Sequence, residues 1–555
     1  MPVRRPKMAV QQHRTQSYGA PAPVRGIYAT GAYSGGLALG TSTGVGGDNQ
    51  TSTEIEAAIW LYNMVPSSFG CRIRSGSREL ATNILDDSGL KGQIRTTMFF
   101  NSVVGGGLND RVFVANANGI YDVTAGGPGP WTPVLEWPNK GGDAGWCSFI
   151  NYTNVAGDHF LLVCDEDNGY YIYNGTGWAA GTFTGNPKPA ASSLVHICEW
   201  NARIWFVEKN TARAWFLDPL ALTGDIAPFD VGSRFKDGGH LVQNSTWTLD
   251  DGAGLDDRLV QVSSGGDVLV WSGIDPTVAS DLTLLGRWTV GTVPEGRRVM
   301  SDWGGDVMIL SVNGVVTLSG LLGGVSNIGE GRYLSRNINA YMRNAMQDTL
   351  DDYGWSLELV PKEGIGVLTV PVGTSPPIQF VIEINTQAWC MFRGLDMVCQ
   401  TKIGAQFVFG TSDGRLMAYE GTQDNISLDN TTSQAINFSM LTHYSTGAAP
   451  GQWKRGMFIR PYWIGAAKPV YEVKMQYDFN LDELLSQGGA PTSKLSLWDE
   501  AIWDTSVWEG TAQSYLDTQS IDGMGRHVAI ALRGAAVNQL TYVGADVMFD
   551  VGGWL

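Results

Sequence analysis

Few groups of residues in this sequence have the types and the spacing that catalysis requires. Gly40–Gly44 reads GTSTG and matches the GxSxG string that surrounds the nucleophilic serine of many hydrolases. That string acts from a sharp turn between a strand and a helix, whereas here it lies in a stretch rich in glycine and threonine. We therefore interpret it as a chance match.

A possible cation site and the histidines are the next groups that chemistry could use. Asp165, Asp167 and Asn168 resemble the opening of a calcium loop, but Thr176 occupies the position where an EF-hand needs a glutamate. We favour a polar hairpin turn there and leave a weak cation site open. None of the six histidines has another His or Cys at the spacing of zinc ligands. The sequence therefore predicts no catalytic residue, no metal ligand and no cofactor.

Two further patterns have both a chemical and a structural interpretation. The acidic pairs Asp250–Asp251 and Asp256–Asp257 lie in one Gly-rich loop, where neighbouring carboxylates do not predict two groups facing one glycosidic bond. Trp498, Trp503 and Trp508 recur every five residues, a period that suits neither a helix nor a strand. We interpret them as packing groups in a chain that folds back in successive turns. The alternative is an aromatic platform that stacks on sugars.

The composition favours β-structure with many tight turns. Only 16% of the 555 residues are charged, against a usual share of about 25%, and 71 residues are glycine. Aromatic residues make up 10% of the chain, which fits strands and argues against disorder.

The charge and the cysteines exclude several classes of protein. A net charge of −17 speaks against a protein that reads nucleic-acid sequence, because such proteins carry a basic face. An acidic wall would still let DNA pass without sticking to it. No apolar run is long enough to span a bilayer. The six cysteines lack CxxC spacing, so we expect reduced and partly buried thiols in a protein assembled in the cytoplasm.

The secondary structure predicted for most of the chain consists of short apolar strands joined by recurring turns. Asn-Gly or Asp-Gly precedes the second strand of a hairpin at Gly119, Gly169, Gly314 and Gly414, which are multiples of about 50 residues apart. These dipeptides favour type I′ turns. Hairpins that repeat at this period are typical of β-propeller blades. We predict six or seven blades, and two tandem β-sandwiches are the alternative architecture.

The remaining segments define the predicted domain organisation. Residues 1–52 form an extended N-terminal arm, 53–98 the N-terminal part of a platform domain, 99–428 the propeller, and 429–555 a C-terminal β-sandwich-like part of the platform. Within 53–98, the stretch from Thr53 to Met64 fits a helix face and a strand face equally well. Tyr333–Leu350 has helical periodicity and predicts a helix packed on a blade edge.

Two strings in the chain resemble a known family. Ala58–Pro66, followed by Gly70, Arg72, Arg74 and Gly76, is one, and the Trp-Asp repeat followed by Gly523–Gly534 is the other. Together with the order of arm, platform, propeller and C-terminal return, they resemble the tail nozzle proteins of short-tailed bacteriophages. These proteins are also called tail tubular protein B or packaged-DNA stabilisation proteins.

The resemblance implies a structural virion protein and no enzyme. It implies a propeller joined to a platform built from both chain ends, and a ring of six copies below a tail adaptor, with tail fibres or spikes as further partners. The ring would hold and conduct the genome through passive contact, without sequence-specific binding, in the tail of the virion. Arg72 and Arg74 would serve contacts with neighbouring subunits or with the adaptor.

The alternative function is a tail-associated propeller that binds or degrades carbohydrate. Sialidase-type propellers carry repeated Ser-x-Asp-x-Gly-x-x-Trp turns. The nearest string here begins at Ser412 and continues Asp-Gly-Arg, so it lacks both the spacing and the tryptophan.

Overall fold

The protein is described here from a computed structural model covering residues 36–37, 57–102, 109–250, 255–278, 280–323, 333–371, 378–446, 451–482 and 513–552. Strands and tight turns dominate these residues, and their sheets form a β-propeller with an additional β-rich unit. The predicted fold class is therefore confirmed. None of the helices in the described residues is both long enough and apolar enough to cross a membrane.

The first five strands of the described residues belong to sheets that are completed by residues much later in the sequence. They are Gly36–Leu37 (β1), Ala57–Tyr62 (β2), Met64–Ser67 (β3), Gly70–Ile73 (β4) and Ser77–Thr82 (β5). The segment left open between helix and strand is thus a strand. Its side chains at Ala58, Trp60 and Leu61 are buried, and an antiparallel partner strand supplies the backbone hydrogen bonds.

The first three blades follow one another along the chain. The first contains Thr96–Phe100 (β6), Arg111–Ala115 (β7), Gly119–Asp122 (β8) and Pro133–Glu136 (β10). Gly127–Pro128 (β9) lies between β8 and β10 in the chain but belongs to another sheet. The second contains Cys147–Thr153 (β11), His159–Asp165 (β12), Gly169–Tyr173 (β13) and Trp178–Ala180 (β14). The third contains Phe183–Thr184 (β15), Leu194–Trp200 (β16), Arg203–Glu208 (β17), Arg213–Leu217 (β18) and Gly224–Asp230 (β19).

Three more blades continue the same pattern. The fourth contains Leu241–Asp250 (β20), Leu255–Ser263 (β21), Asp267–Ser272 (β22) and Thr283–Thr289 (β23). The fifth contains Met300–Trp303 (β24), Asp306–Ser311 (β25) and Gly314–Thr317 (β26). The sixth contains Ser356–Val360 (β27), Ile365–Thr369 (β28), Ile378–Glu383 (β29) and Trp389–Arg393 (β30).

The last blade closes the ring with strands from both ends of the propeller. It consists of Cys399–Ile403 (β31), Gln406–Gly410 (β32) and Leu416–Tyr419 (β33), with β5 as its outer strand and β9 added in parallel to β5. Six of these blades are separate sheets, whereas β27–β30 of the sixth blade continue into a nine-stranded sheet. The expectation of six or seven blades is confirmed.

The second unit is a β-sandwich built from both chain ends. Its later strands are Ile436–Thr442 (β34), Lys454–Gly465 (β35), Val470–Tyr477 (β36), Gln513–Leu516 (β37), Gln519–Ser520 (β38), Met524–Gly525 (β39), Val528–Ala536 (β40) and Leu540–Val551 (β41). One sheet joins β2, β34, β40 and β36 to the edge of the sixth blade, and the other joins β3, β4, β41 and β35 to β37–β39. The predicted platform segment 53–98 contributes to both units, because β5 and β6 belong to the propeller.

Helices are short and lie outside the sheets. In the described residues the α-helices are Leu318–Leu322 and Asn339–Gln347, and 3-10 turns occur at Ala191–Ser193, Gly232–Arg234 and Arg336–Ile338. Asn339–Gln347 falls within the predicted helix, and its buried Met342 and Met346 join the hydrophobic core that the sixth blade shares with the sandwich.

The recurring glycines occupy the bends between the second and third strands, but these bends are not type I′ turns. The φ angle is positive at Gly169, Gly314 and Gly414, whereas the Asn or Asp before each glycine has no positive φ. Type I′ turns need positive φ at both central residues, so that prediction is wrong. In the second blade a strand-end side chain forms the turn instead: Asp165 Oδ1 accepts hydrogen bonds from the backbone N–H groups of Asp167 and Asn168.

Close approach of the chain explains why glycine is needed at these bends. Strand direction alternates within a blade, so the bends lie on the same face as the connections from one blade to the next; we call this the bend face. A Cβ atom at Gly169 would lie 2.0 Å from the carbonyl oxygen of Ala191, in the connection to the third blade. Gly169 therefore marks the point where the connection to the third blade crosses the hairpin of the second.

We predict that Gly169→Ala destabilises the protein far more than Gly157→Ala does. Both glycines have positive φ, of +78° and +85°, but nothing lies within 4 Å of a Cβ at Gly157. Backbone strain alone should cost about 1 kcal/mol at Gly157. The added clash should raise the cost at Gly169 to at least about 2 kcal/mol. Free energies of unfolding in urea measure both values, and equal losses would contradict the crossing geometry.

Candidate functional site

The innermost strands of the blades surround a polar axial cavity of about 320 Å³. It is lined by residues of β6, β11, β16, β20, β24, β27 and β31, so every blade contributes to its wall. A cavity on the axis of a ring of sheets is where side chains from distant parts of the sequence converge. The axial cavity is therefore the candidate functional site.

Two adjacent arginines close this cavity at the bend face. Arg297 and Arg298 lie on the connection from the fourth blade to the fifth. Backbone hydrogen bonds fix this connection, from Val293 N–H to Ser264 O (3.3 Å) and from Glu295 N–H to Leu350 O (2.8 Å). Because the connection is held at both points, its arginines project across the axis instead of into solvent.

Arg297 ties the fifth blade to the second through a buried ion pair. Its Nη2 and Nε donate hydrogen bonds to the two carboxylate oxygens of Glu166, at 2.9 and 3.1 Å. The Arg297 side chain is 5% exposed and that of Glu166 is fully buried. Nη1 also donates to the backbone oxygens of Leu241 and Val242 in the fourth blade. Burial by itself would lower the pKa of Arg297, but the Glu166 carboxylate raises it above its usual value.

Arg298 reaches the first and second blades without meeting a carboxylate. Its Nη2 donates to the backbone oxygens of Arg95 (3.3 Å) and Cys147 (3.1 Å) and to Thr96 Oγ1 (2.7 Å). The guanidinium also lies over the ring of Trp146, 5.6 Å from its centroid. Burial lowers the pKa of Arg298. Among the described residues, no acidic side chain forms an ion pair with it.

The cavity opens away from the arginines. Along β11, Cys147 is buried at the bend face, whereas Asn151 and Thr153 are exposed farther along the strand. Near the open end, Lys402 Nζ lies 3.0 Å from Glu358 Oε1, and both side chains are partly exposed. The axial cavity is thus a blind pocket with an arginine floor and a charged pair toward its mouth.

The acidic bend proposed as a possible calcium loop is occupied by partners from within the chain. Asp165 Oδ2 accepts from Gly145 N–H at 2.5 Å, and Asp167 pairs with Lys209 Nζ at 2.9 Å. Glu166 is the partner of Arg297. In the described part of the chain, no group of three or more His, Cys, Asp or Glu side chains could hold a metal ion.

A second buried ion pair lies where the chain enters and leaves the propeller. Arg74 donates from Nη1 and Nη2 to the two carboxylate oxygens of Asp424, at 2.7 and 2.6 Å, and from Nε to Asn63 Oδ1 at 2.9 Å. Arg74 is 1% exposed in its side chain. The prediction that it contacts another subunit or an adaptor is therefore wrong, because its donors are used within the chain. Arg72 pairs with Glu363 at 2.9 Å and is partly exposed. Its contact with a neighbouring subunit or with the adaptor remains a prediction.

The structure places the other residues singled out in the sequence in separate parts of the chain. All six cysteines are buried and free, as expected, and burial raises the pKa of Cys71 to about 12. Ser412 donates to Asp396 at the bend of the closing blade. The GTSTG string and the Trp-Asp repeat lie outside the described residues. Glu166, Arg297 and Arg298 were not identified from the sequence, since their convergence depends on blades far apart in the chain.

Comparisons with known proteins do not identify a family. No protein-family model matches the sequence, and no curated protein matches it. Similar solved structures include the computationally designed Ika8 protein, YCF48 bound to a D1 peptide, and the β-propeller domain of Cps50 (Swd1) from Myceliophteria thermophila.

These likenesses carry no argument about function. Sequence identities are 10%, 12% and 9%, and TM-scores are 0.35, 0.35 and 0.36, in the order named. Each match covers 62% of this chain and 99%, 94% and 100% of the other chain, respectively.

We predict that Glu166→Gln lowers the free energy of unfolding by about 3–5 kcal/mol, because it leaves the Arg297 charge buried without its carboxylate. Glu363→Gln is the matched control. It removes one partner of the more exposed pair with Arg72 and should cost about 1 kcal/mol or less. Urea unfolding at neutral pH measures both. Similar losses in the two variants would contradict a special role for the pair across the axis.

We also predict that His196, on the wall of the pocket, makes the protein less stable in acid. Burial lowers its pKa from 6.5 to about 3. The unfolded chain therefore binds a proton that the folded protein does not bind between these values. The contribution of the neutral His196 to the free energy of unfolding is complete above pH 6.5 and is lost as the pH falls toward about 3.

The test compares urea unfolding of the natural chain and His196→Gln at about pH 7 and about pH 5. The variant should lose about 2 kcal/mol less stability between these pH values. Burial also raises the pKa of Asp165 to about 6, which stabilises the folded state as the pH falls; that contribution is common to both proteins. An identical pH dependence would mean that His196 is not held neutral.

Proposed function

We propose that this chain is a structural virion protein, a subunit of the tail nozzle of a short-tailed bacteriophage, and that it is not an enzyme. In this proposal six copies assemble in the host cytoplasm and form a ring at the end of the tail. The ring seals the packaged genome and conducts it at infection. Its partners are the tail adaptor and the tail fibres or spikes.

One observation carries the proposal: in the first of the two strings that resemble the nozzle family, Gly70, Arg74 and Gly76 form the joint between the two units. A Cβ at Gly70 would lie 2.3 Å from Tyr542 O in the C-terminal half of the sandwich, and one at Gly76 would lie 1.9 Å from Gln423 O. Arg74, between them, holds Asp424. The spacing of this motif therefore has a physical reason, which is to join a platform made of both chain ends to a closed propeller.

The blind axial pocket also bears on how such a ring would work. Because Arg297 and Glu166 bridge the axis, a single propeller cannot be a conduit for DNA. The DNA channel would instead lie between copies. The net charge of −17 would repel phosphate from the channel wall and reduce adhesion of the genome during transit.

The test is the assembly state of the full chain, alone and mixed with its adaptor protein. We expect native mass spectrometry and negative-stain images to show a six-fold ring with a central opening. We expect no saturable binding of double-stranded DNA at low salt, because a net charge of −17 opposes association with a polyanion.

Two outcomes would overturn the proposal. One is a protein that stays monomeric at all concentrations with the adaptor present. The other is a purified chain that cleaves host glycans or binds them on a glycan array, which would support the carbohydrate-directed alternative. Neither readout depends on the stability predictions above.

A further inference from the structure

The floor of the axial pocket holds Arg298, which has no ion-pair partner among the described residues, although the carboxylates of Glu358 and Asp302 also line the pocket. Arg297 is matched by Glu166, and Lys402 by Glu358, each within 3.0 Å. Arg298 forms hydrogen bonds only to backbone oxygens and a hydroxyl. All of these bonds use Nη2, so the donors of Nη1 and Nε have no hydrogen-bond partner among the described residues. Guanidinium groups bind carboxylate and phosphate oxygens best through two parallel hydrogen bonds.

Three further polar atoms in the wall of this pocket are buried without a hydrogen-bond partner. They are His196 Nδ1, Asn244 Nδ2 and Ser356 Oγ, in residues that are 4%, 1% and 5% exposed. An unsatisfied buried polar group costs free energy, and such groups are rare in folded proteins. Here three of them line the same cavity as Arg298, although they come from three different blades.

The size and the chemistry of the cavity define the class of ligand. About 320 Å³ lies at the lower end of the range for small-molecule sites. The arginine requires an oxyanion. The amide, imidazole and hydroxyl groups suit several neutral oxygen atoms on the same molecule.

We propose that the axial pocket binds a small polyhydroxylated anion, of the sugar-acid or sugar-phosphate type, with its charged end on Arg298. The neutral hydroxyl groups of the ligand then satisfy Asn244, His196 and Ser356. Lys402 lies near the open end, where its positive charge favours entry of an anion. This site is complete within one chain, so it does not depend on ring assembly or on the proposed nozzle function.

Isothermal titration calorimetry on the full chain tests the proposal with glucuronate, glucose 6-phosphate and glucose. We expect one of the two anions to bind with a dissociation constant of about 1 mM or below, and glucose to bind at least about tenfold more weakly. Comparing the two anions distinguishes a carboxylate site from a phosphate site.

Arg298→Gln should weaken binding of the anion at least about tenfold. Arg343→Gln, which alters an exposed arginine of the helix Asn339–Gln347, is the matched control and should leave the affinity unchanged.

A second variant protects the test against misfolding of Arg298→Gln. Asn244→Asp keeps the oxygen that accepts a hydrogen bond from Gln261 Nε2 at 3.1 Å, but replaces the unpartnered amide nitrogen with a carboxylate oxygen that repels an anion. It should also weaken binding at least about tenfold. The proposal is overturned if neither anion binds, if glucose binds as well as the anions, or if Arg298→Gln and Asn244→Asp both keep the natural affinity.

Discussion

The ion pair between Arg74 and Asp424 is the interaction on which the rest of the fold depends. Arg74 comes just before the first strand of the propeller and Asp424 just after the last, 350 residues away. A propeller is stable only when its last blade is complete, because an open ring leaves sheet edges and blade faces unprotected. Asn63 reinforces this joint, since its side chain also donates to backbone oxygens of Arg393 and Asn437. The platform and the ring therefore share one buried polar joint.

Inside the propeller, a second ion pair determines whether a molecule can pass along the axis. Arg297 and Glu166 connect opposite blades and close the axis, which excludes passage of a polymer through one propeller. The same connection brings Arg298 to the pocket floor, where burial lowers its pKa. Structural closure and a ligand-sized polar pocket are thus consequences of one inter-blade connection.

Much of the propeller could be predicted from the sequence, because the blades impose local regularities. Second strands such as β12 and β17 pack between neighbouring blades and are nearly continuous apolar runs, which makes them easy to recognise. At Gly119 and Gly169 the bend needs glycine because another stretch of backbone lies where a Cβ would be. The turn type was predicted wrongly, since Asn-Gly preferences describe an isolated hairpin, and here Asp165 and the crossing connection determine the backbone instead.

The sequence by itself determined the fold class, the approximate number of blades and the buried state of the cysteines. These properties follow from local periodicity and from the solvation of individual side chains. Only the tertiary structure decided that Arg74 is an internal residue and that Arg297 meets Glu166 across 131 positions. It also decided that His196, Asn244, Ser356 and Arg298 share one pocket. Such pairings depend on how the blades close into a ring, and no local pattern in the chain encodes the distance between residues on different blades.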